Sequence, residues 1–199
     1  MMKPPFAAYT LSGGTGMKKR INLWQGGGFV FTIIAGTLLH FLYEWLGKPV
    51  WLSPFSGVNE STWEHMKLLF FPMLIFAIAQ SFFFKDRQNF WCVKLRGILL
   101  GLVLIPVIFY TYNNVIAKSP DWMNVLIFIV SAAAAYLYEK RLLEKDLPHC
   151  EMPFLPQVFL ALITLCFIVF TFKAPPLNVF RDPLTGTFGL FHEMTTHGA

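Results

Sequence analysis

The sequence is poor in charge. Only 14% of its 199 residues are Asp, Glu, Lys or Arg, against roughly 25% in soluble domains. Hydrophobic residues make up 55% of the chain, and the mean hydropathy is +0.54. Long apolar runs with so few charges need lipid around them, which argues against a soluble domain. We therefore expect a protein whose main partner is the lipid bilayer.

Cysteine pairs of the Cys-x-x-Cys type are also missing. The three cysteines are Cys92, Cys150 and Cys166. The first two fall near Lys- and Arg-rich segments that are assigned to the cytoplasm below, and Cys166 falls inside an apolar run. Because the cytoplasm keeps thiols reduced, we expect no structural disulfide.

The excess of basic over acidic residues does not indicate nucleic-acid binding. The net charge is +5, but the basic residues lie between the apolar runs and form no stripe with interleaved aromatic residues. They suit topology signals and contacts with anionic headgroups. We expect no nucleic-acid partner.

Five apolar runs follow one another, each about 17–25 residues long and able to cross a hydrocarbon core of roughly 30 Å. They cover residues 21–46, 66–84, 97–116, 122–138 and 153–172. This pattern predicts an all-α, polytopic transmembrane helix bundle over residues 17–173. Residues 1–16 are interpreted as a disordered or wrongly assigned extension, and residues 174–199 as an extracytoplasmic tail. Within this tail we expect residues 180–189 to pack onto the bundle and residues 192–199 to be disordered.

Lys and Arg are divided unequally between the two sets of connecting segments. Eleven of the sixteen lie in the N-terminal segment and in the segments around 85–96 and 139–151. The positive-inside rule therefore places the N-terminus in the cytoplasm and, with five spans, the C-terminus outside. We expect a multi-pass protein of a bacterial inner (plasma) membrane.

Polar side chains gather at the run ends that this orientation places outside. His40 lies about six residues, or roughly 9 Å, before the end of the first run. At that depth a polar ring should face the bundle or a wet cavity rather than lipid. Glu44 lies four residues further on and shares its helix face.

The start of the second helix adds further polar groups. Ser61 with Glu64 fits a capping box, Glu60 lies four residues before Glu64, and His65 follows directly. The connection between the first two runs is short, which favours antiparallel neighbours in space. We therefore expect His40 and Glu44 to approach Glu60, Glu64 and His65.

Two imidazoles and three carboxylates form a ligand set that suits zinc or manganese. In this hypothesis His40, Glu44 and His65 bind the metal, and Glu60 and Glu64 are the catalytic acid and base. The residues given supporting roles are Asn59, Ser61, Tyr110, Tyr112 and Asp182. Two other interpretations stay open: capping residues without chemistry, and a cation or proton relay.

Three blocks of sequence resemble an uncharacterised family of small bacterial membrane proteins, of a Gram-positive type, known as a domain of unknown function. The blocks are HFLYEW at 40–45, NESTWEH with KLLFFP within 59–72, and FRDPLTGTFG at 180–189. The resemblance implies a membrane location but no activity and no catalytic residues.

Three functions are compatible with these patterns. The first is a metal-assisted membrane hydrolase that acts on a lipid or envelope substrate. The second is a small transporter or permeation component, which needs polar residues through the full depth of the membrane, whereas the inner half has little besides Gln80. The third is a non-catalytic assembly or sensing subunit.

Overall fold

The computed structural model of this chain describes residues 7–85, 87–116, 121–147 and 150–190, and all structural statements concern these residues. Five α-helices follow in order: α1 (Ala7–Trp45), α2 (Thr62–Ser81), α3 (Phe90–Ile116), α4 (Asp121–Glu144) and α5 (Leu155–Phe172). All five are long and apolar enough to cross a membrane. The described part of the chain contains no β-strand, so the predicted all-α transmembrane class is confirmed.

The helices reach beyond the apolar runs that predicted them. Helix α3 begins at Phe90 rather than at residue 97, and α4 continues to Glu144 rather than ending at residue 138. Helix α1 begins at Ala7, so residues 7–16, for which no fold was expected, are helical. Charged residues at the ends of these runs therefore lie on helices rather than in loops.

Glycines on α1 allow close packing against its neighbours. A Cβ placed on Gly28 would lie 2.6 Å from the Tyr136 ring and 2.7 Å from the Phe76 ring. A Cβ on Gly36 would lie 2.5 Å from the Phe128 ring. Helices α2 and α4 can pack this closely against the α1 backbone only because no side chain intervenes at these positions.

Successive helices run antiparallel, which gives the bundle two ends. We call the distal end the one where α1, α3 and α5 end and α2 and α4 begin. The opposite end, called the basic end, carries most of the Lys and Arg residues. At the basic end an ion pair of 2.9 Å between Arg87 and Asp146 joins the connections that follow α2 and α4.

The predicted absence of a disulfide was wrong. The structure pairs Cys92 with Cys150, whose Cα atoms are 6.4 Å apart, and leaves Cys166 free. Both paired residues lie at the basic end, Cys92 in the first turn of α3 and Cys150 shortly before α5. Their separation of 58 positions in sequence hid this proximity, and the sequence argument had relied on the compartment alone.

The tail after α5 packs onto the distal end. Its 3₁₀ turn, Asn178–Phe180, buries the Phe180 ring 4.6 Å from the Trp63 ring, measured between centroids. An antiparallel bridge between Arg181 and Phe188 closes the loop that follows. The predicted packing of residues 180–189 onto the bundle is therefore confirmed, and residues 191–199 lie outside the described part.

Candidate functional site

The connection between α1 and α2 folds back along the last turns of α1. The Ser56 hydroxyl donates to the Leu39 carbonyl and accepts from the Tyr43 amide at 3.1 Å. The Gly57 amide also donates to the Leu39 carbonyl, at 3.3 Å. These bonds hold the connection against α1, and they bring the residues just before α2 to the level of His40.

A trio of side chains results from this return of the chain: His40 from α1, Glu60 from the connection and His65 from α2. Nε2 of His40 lies 3.6 Å from Oε1 of Glu60, and Nε2 of His65 lies 3.6 Å from Oε2 of the same carboxylate. The two imidazole rings are 5.7 Å apart. The carboxylate thus lies between two imidazoles, as the sequence predicted for these three residues.

Hydrogen bonding fixes the proton on one of these rings. Nδ1 of His65 lies 2.9 Å from the Ser61 carbonyl oxygen, which can only accept, so Nδ1 carries a hydrogen. In a neutral imidazole the other nitrogen then has a lone pair, and here it faces the Glu60 carboxylate. Two electron-rich atoms facing each other at this distance call for a positive charge between them, either a proton or a metal ion.

Glu64 has a different partner. Its carboxylate lies 2.5 Å from Nζ of Lys67, one helical turn further along α2, and both side chains are buried. Lys67 also donates to the Ser53 carbonyl at 2.7 Å and to the Thr171 hydroxyl at 3.2 Å. This ion pair joins α2 to the α1–α2 connection and to the end of α5, so Glu64 serves the packing of the distal end.

Of the other predicted residues, Glu44 lies near the trio, whereas Ser61 and Asn59 cap the start of α2. Glu44 is exposed and lies close enough to add negative charge near His40. Ser61 caps α2, where its hydroxyl accepts from the Glu64 amide at 3.4 Å. Asn59 supports that cap, since its side-chain oxygen accepts from the Ser61 amide at 3.0 Å. Tyr112 is half-buried.

Asp182 builds the loop of the tail. Its carboxylate accepts from the Leu184 amide at 2.8 Å and from the Thr185 hydroxyl at 2.9 Å. The residue is only 3% exposed. Its acceptors are directed to its own loop, so it shapes the surface around the site.

A cavity of about 650 Å³ lies between the tail loop and the ends of α2 and α3. Its walls are mainly polar and include Tyr110, Asn114, Asn178 and Arg181. The buried hydroxyl oxygen of Tyr110 has no hydrogen-bond partner among the described residues. Arg181 and Asp182 both line this cavity, so it offers one guanidinium and one carboxylate, together with neutral polar groups, to a polar ligand.

A second, water-sized space lies next to His65 of the trio. It has a volume of about 10 Å³ and is lined by His65, Asn124 and several apolar side chains. Thr62 and Phe109 line both this space and the polar cavity. His65 is therefore separated from the polar cavity by side chains that line both spaces.

The predicted metal-binding set of five residues is not assembled as one unit. Glu64 is directed to Lys67, and Glu44 belongs to neither ion-paired group among the described residues. No group of three or more His, Cys, Asp or Glu side chains in the described ranges is arranged to hold a metal ion.

A second buried ion pair was missed by the sequence reasoning. Nζ of Lys94 on α3 lies 2.5 Å from Oε2 of Glu139 on α4, and both side chains are buried in the basic half. Both had been interpreted as loop charges. A signal was present in Gly97 and Gly101, spaced as in GxxxG packing, because Glu139 lies against Gly97 and Ala135 against Gly101.

Comparison with family models identifies the family of this chain. The model of a Family of unknown function (DUF6512) matches residues 16–190. The chain belongs to this family. The match covers α1 from residue 16, the whole of α2 to α5 and the tail loop, and it agrees with the resemblance to a family of unknown function seen in the sequence. No curated protein and no solved structure matches the chain.

Proposed function

We propose that this member of DUF6512 is a multi-pass protein of the bacterial plasma membrane that hydrolyses a lipid or envelope component at the extracytoplasmic surface. In this proposal the distal end faces outward. His40, Glu60 and His65 hold a cation, either a proton or a divalent metal such as zinc or manganese, and with it activate water for attack on the substrate.

The observation that carries the proposal is the pair of facing electron-rich groups at the trio. The His65 lone pair and the Glu60 carboxylate oxygen are 3.6 Å apart, and the Ser61 carbonyl keeps the imidazole in that tautomer. A proton bound there supplies a general acid, and its loss supplies a general base. A metal bound there would polarise a substrate oxygen or a water molecule.

The cavity supports the class of substrate. The Arg181 guanidinium, beside amide and hydroxyl groups of the cavity wall, suits the phosphate or carboxylate of a headgroup, which would enter from the membrane surface. The water-sized space at His65 is roomy enough for one water molecule at a volume of about 10 Å³. Such a water would lie between the trio and the headgroup.

The activity is tested with purified protein in vesicles that contain phosphatidylglycerol, by measuring the release of water-soluble headgroup. We expect Glu60→Gln and His65→Gln to lower the rate by about 10²–10⁴-fold, the usual contribution of a positioned acid or base. Separate arms with chelator and with added zinc or manganese distinguish the proton from the metal. Activity only with metal would assign the metal.

Glu144→Gln is the matched control. This carboxylate is half-buried and ion-paired with Lys140, as Glu60 is with the histidines, but it lies at the basic end. Its replacement should leave the release rate unchanged. Equal rates in all variants, or no release by the wild-type protein, would refute hydrolysis of this lipid class at the trio.

The orientation is tested by cysteine labelling of intact cells with a reagent that does not cross membranes. A cysteine at Lys140, at the basic end, should stay unlabelled until the membrane is opened. A cysteine at Leu184, which is 70% exposed in the tail loop, should be labelled at once. Strong labelling at position 140 in sealed cells would reverse the orientation and place the trio in the cytoplasm.

A small transporter is a second candidate, and one observation favours it. Transport requires polar groups through the depth of the membrane, and the buried Lys94–Glu139 pair supplies such groups in the basic half. A pH-sensitive dye sealed inside the same vesicles separates the two functions. Proton flux that depends on Glu60, without headgroup release, would favour transport.

A further inference from the structure

Three buried side chains in the basic half carry polar atoms without the hydrogen-bond partners that such atoms need inside a membrane. They are Gln25 on α1, Gln80 on α2 and Glu139 on α4, which are 3%, 0% and 0% exposed. Both amide atoms of each glutamine and Oε1 of Glu139 have no partner among the described residues. Lipid cannot satisfy such groups, so their partners must come from the protein or from water.

The helix register places these three side chains in one layer. Gly28 faces the rings of both Phe76 and Tyr136, so residues 28, 76 and 136 share a level in the bundle. Since α1 runs antiparallel to α2 and α4, a step of three residues toward the basic end reaches Gln25, residue 79 and Glu139. Gln80 lies one residue beyond, a further rise of about 1.5 Å.

The protein itself supplies two polar neighbours of the Glu139 carboxylate, Lys94 and Gln25. Oε2 of Glu139 is paired with Lys94, whose Nζ also lies 5.6 Å from the centre of the Tyr136 ring. Gln25 comes close to the carboxylate, yet neither of its amide atoms forms a hydrogen bond of normal geometry. The Gln25 amide and the Glu139 carboxylate therefore lie near each other, but no direct hydrogen bond of normal geometry joins them.

We propose that Gln25, Gln80 and Glu139 form a hydrated site inside the basic half of the bundle, which binds water molecules. A buried water typically makes two to four hydrogen bonds, and this layer offers donors on the two amides and acceptors on the amides and on Oε1. Gln80 lies one residue before α2 ends at Ser81, so the site is close to the aqueous surface at the basic end. The inference does not rest on the proposed hydrolysis.

The test is X-ray radiolytic labelling of the full chain in detergent or vesicles, read by peptide mass spectrometry. Hydroxyl radicals formed from a bound water oxidise the side chains next to it, even where bulk solvent has no access. Tyr136, Phe70 and Phe167 are all buried in the apolar core, at 3%, 0% and 1% exposure, but only Tyr136 lies one helical turn from Glu139. After division by the intrinsic reactivity of each ring type toward hydroxyl radical, we expect Tyr136 to be oxidised several-fold faster than either phenylalanine.

Equal, slow oxidation of all three rings in the wild-type protein would overturn the proposal. The double variant Gln25→Leu, Gln80→Leu gives a second readout, because the water loses most of its partners and oxidation of Tyr136 should fall to the level of Phe70. Unchanged oxidation of Tyr136 in a folded double variant would also refute the site. The wild-type comparison stands even where the variant fails to fold.

Discussion

Lys67→Met is expected to lower the free energy of unfolding by about 3–5 kcal/mol, since removal of one partner leaves the other as an uncompensated buried charge. The Glu64 carboxylate would lose the ammonium that lies 2.5 Å from it. The Ser53 carbonyl and the Thr171 hydroxyl would lose a donor at the same time. Denaturant unfolding of the purified protein in detergent measures the change.

The double variant Glu64→Gln, Lys67→Met should recover most of the loss, because no charge then remains buried. Lys140→Met is the matched control, since its ion pair with Glu144 is 4.0 Å long and both side chains are partly exposed. Its effect should stay within about 0.5 kcal/mol. Equal effects of Lys67→Met and Lys140→Met would show that the distal pair does not hold the bundle end together.

The five spans were predictable because each depends only on local composition. An apolar run of the right length must form a helix in lipid, whichever neighbours it later meets. The helix ends were less predictable. Phe90 and Glu144 mark bounds that lie beyond the apolar runs, since a helix continues through charged residues once its hydrogen bonds are formed.

The trio was predictable because it depends on a short connection. His40 lies in the last turns of α1, Glu60 lies just before α2, and His65 lies in the first turn of α2. Antiparallel neighbours bring such helix ends together. The catalytic role of Glu64 stays a prediction, and the same reasoning did not indicate that its carboxylate is paired with Lys67. A lysine one helical turn away competes for a carboxylate, and Lys67 holds Glu64 in the bundle interior.

The Lys94–Glu139 pair could not be read from composition. Both residues lie in charge-rich stretches at the ends of apolar runs, where a loop is the usual interpretation. The two residues are 45 positions apart in sequence. Their burial depends on how α3 and α4 are rotated about their axes, and only the packing of these two helices determines that rotation. The GxxxG spacing of Gly97 and Gly101 indicated a close contact but not its partner.

Gly28→Ala should destabilise the bundle strongly, by about 1–3 kcal/mol or more, as expected for overpacking of a close contact. The added methyl group would lie 2.6 Å from the Tyr136 ring and 2.7 Å from the Phe76 ring, far inside normal contact distance. Both rings are packed, so α1 would have to move away from α2 and α4. The midpoint of thermal unfolding in detergent measures the effect.

Gly26→Ala provides the control two residues away on the same helix. A Cβ at Gly26 meets no atom within 4 Å, so this variant gains helix propensity of up to about 1 kcal/mol and loses no contact. The two variants should therefore change stability in opposite directions. If Gly28→Ala were as stable as Gly26→Ala, α1 would not pack against α4 at this level. The register that brings Gln25 to Glu139, and with it the hydrated layer, would then be wrong.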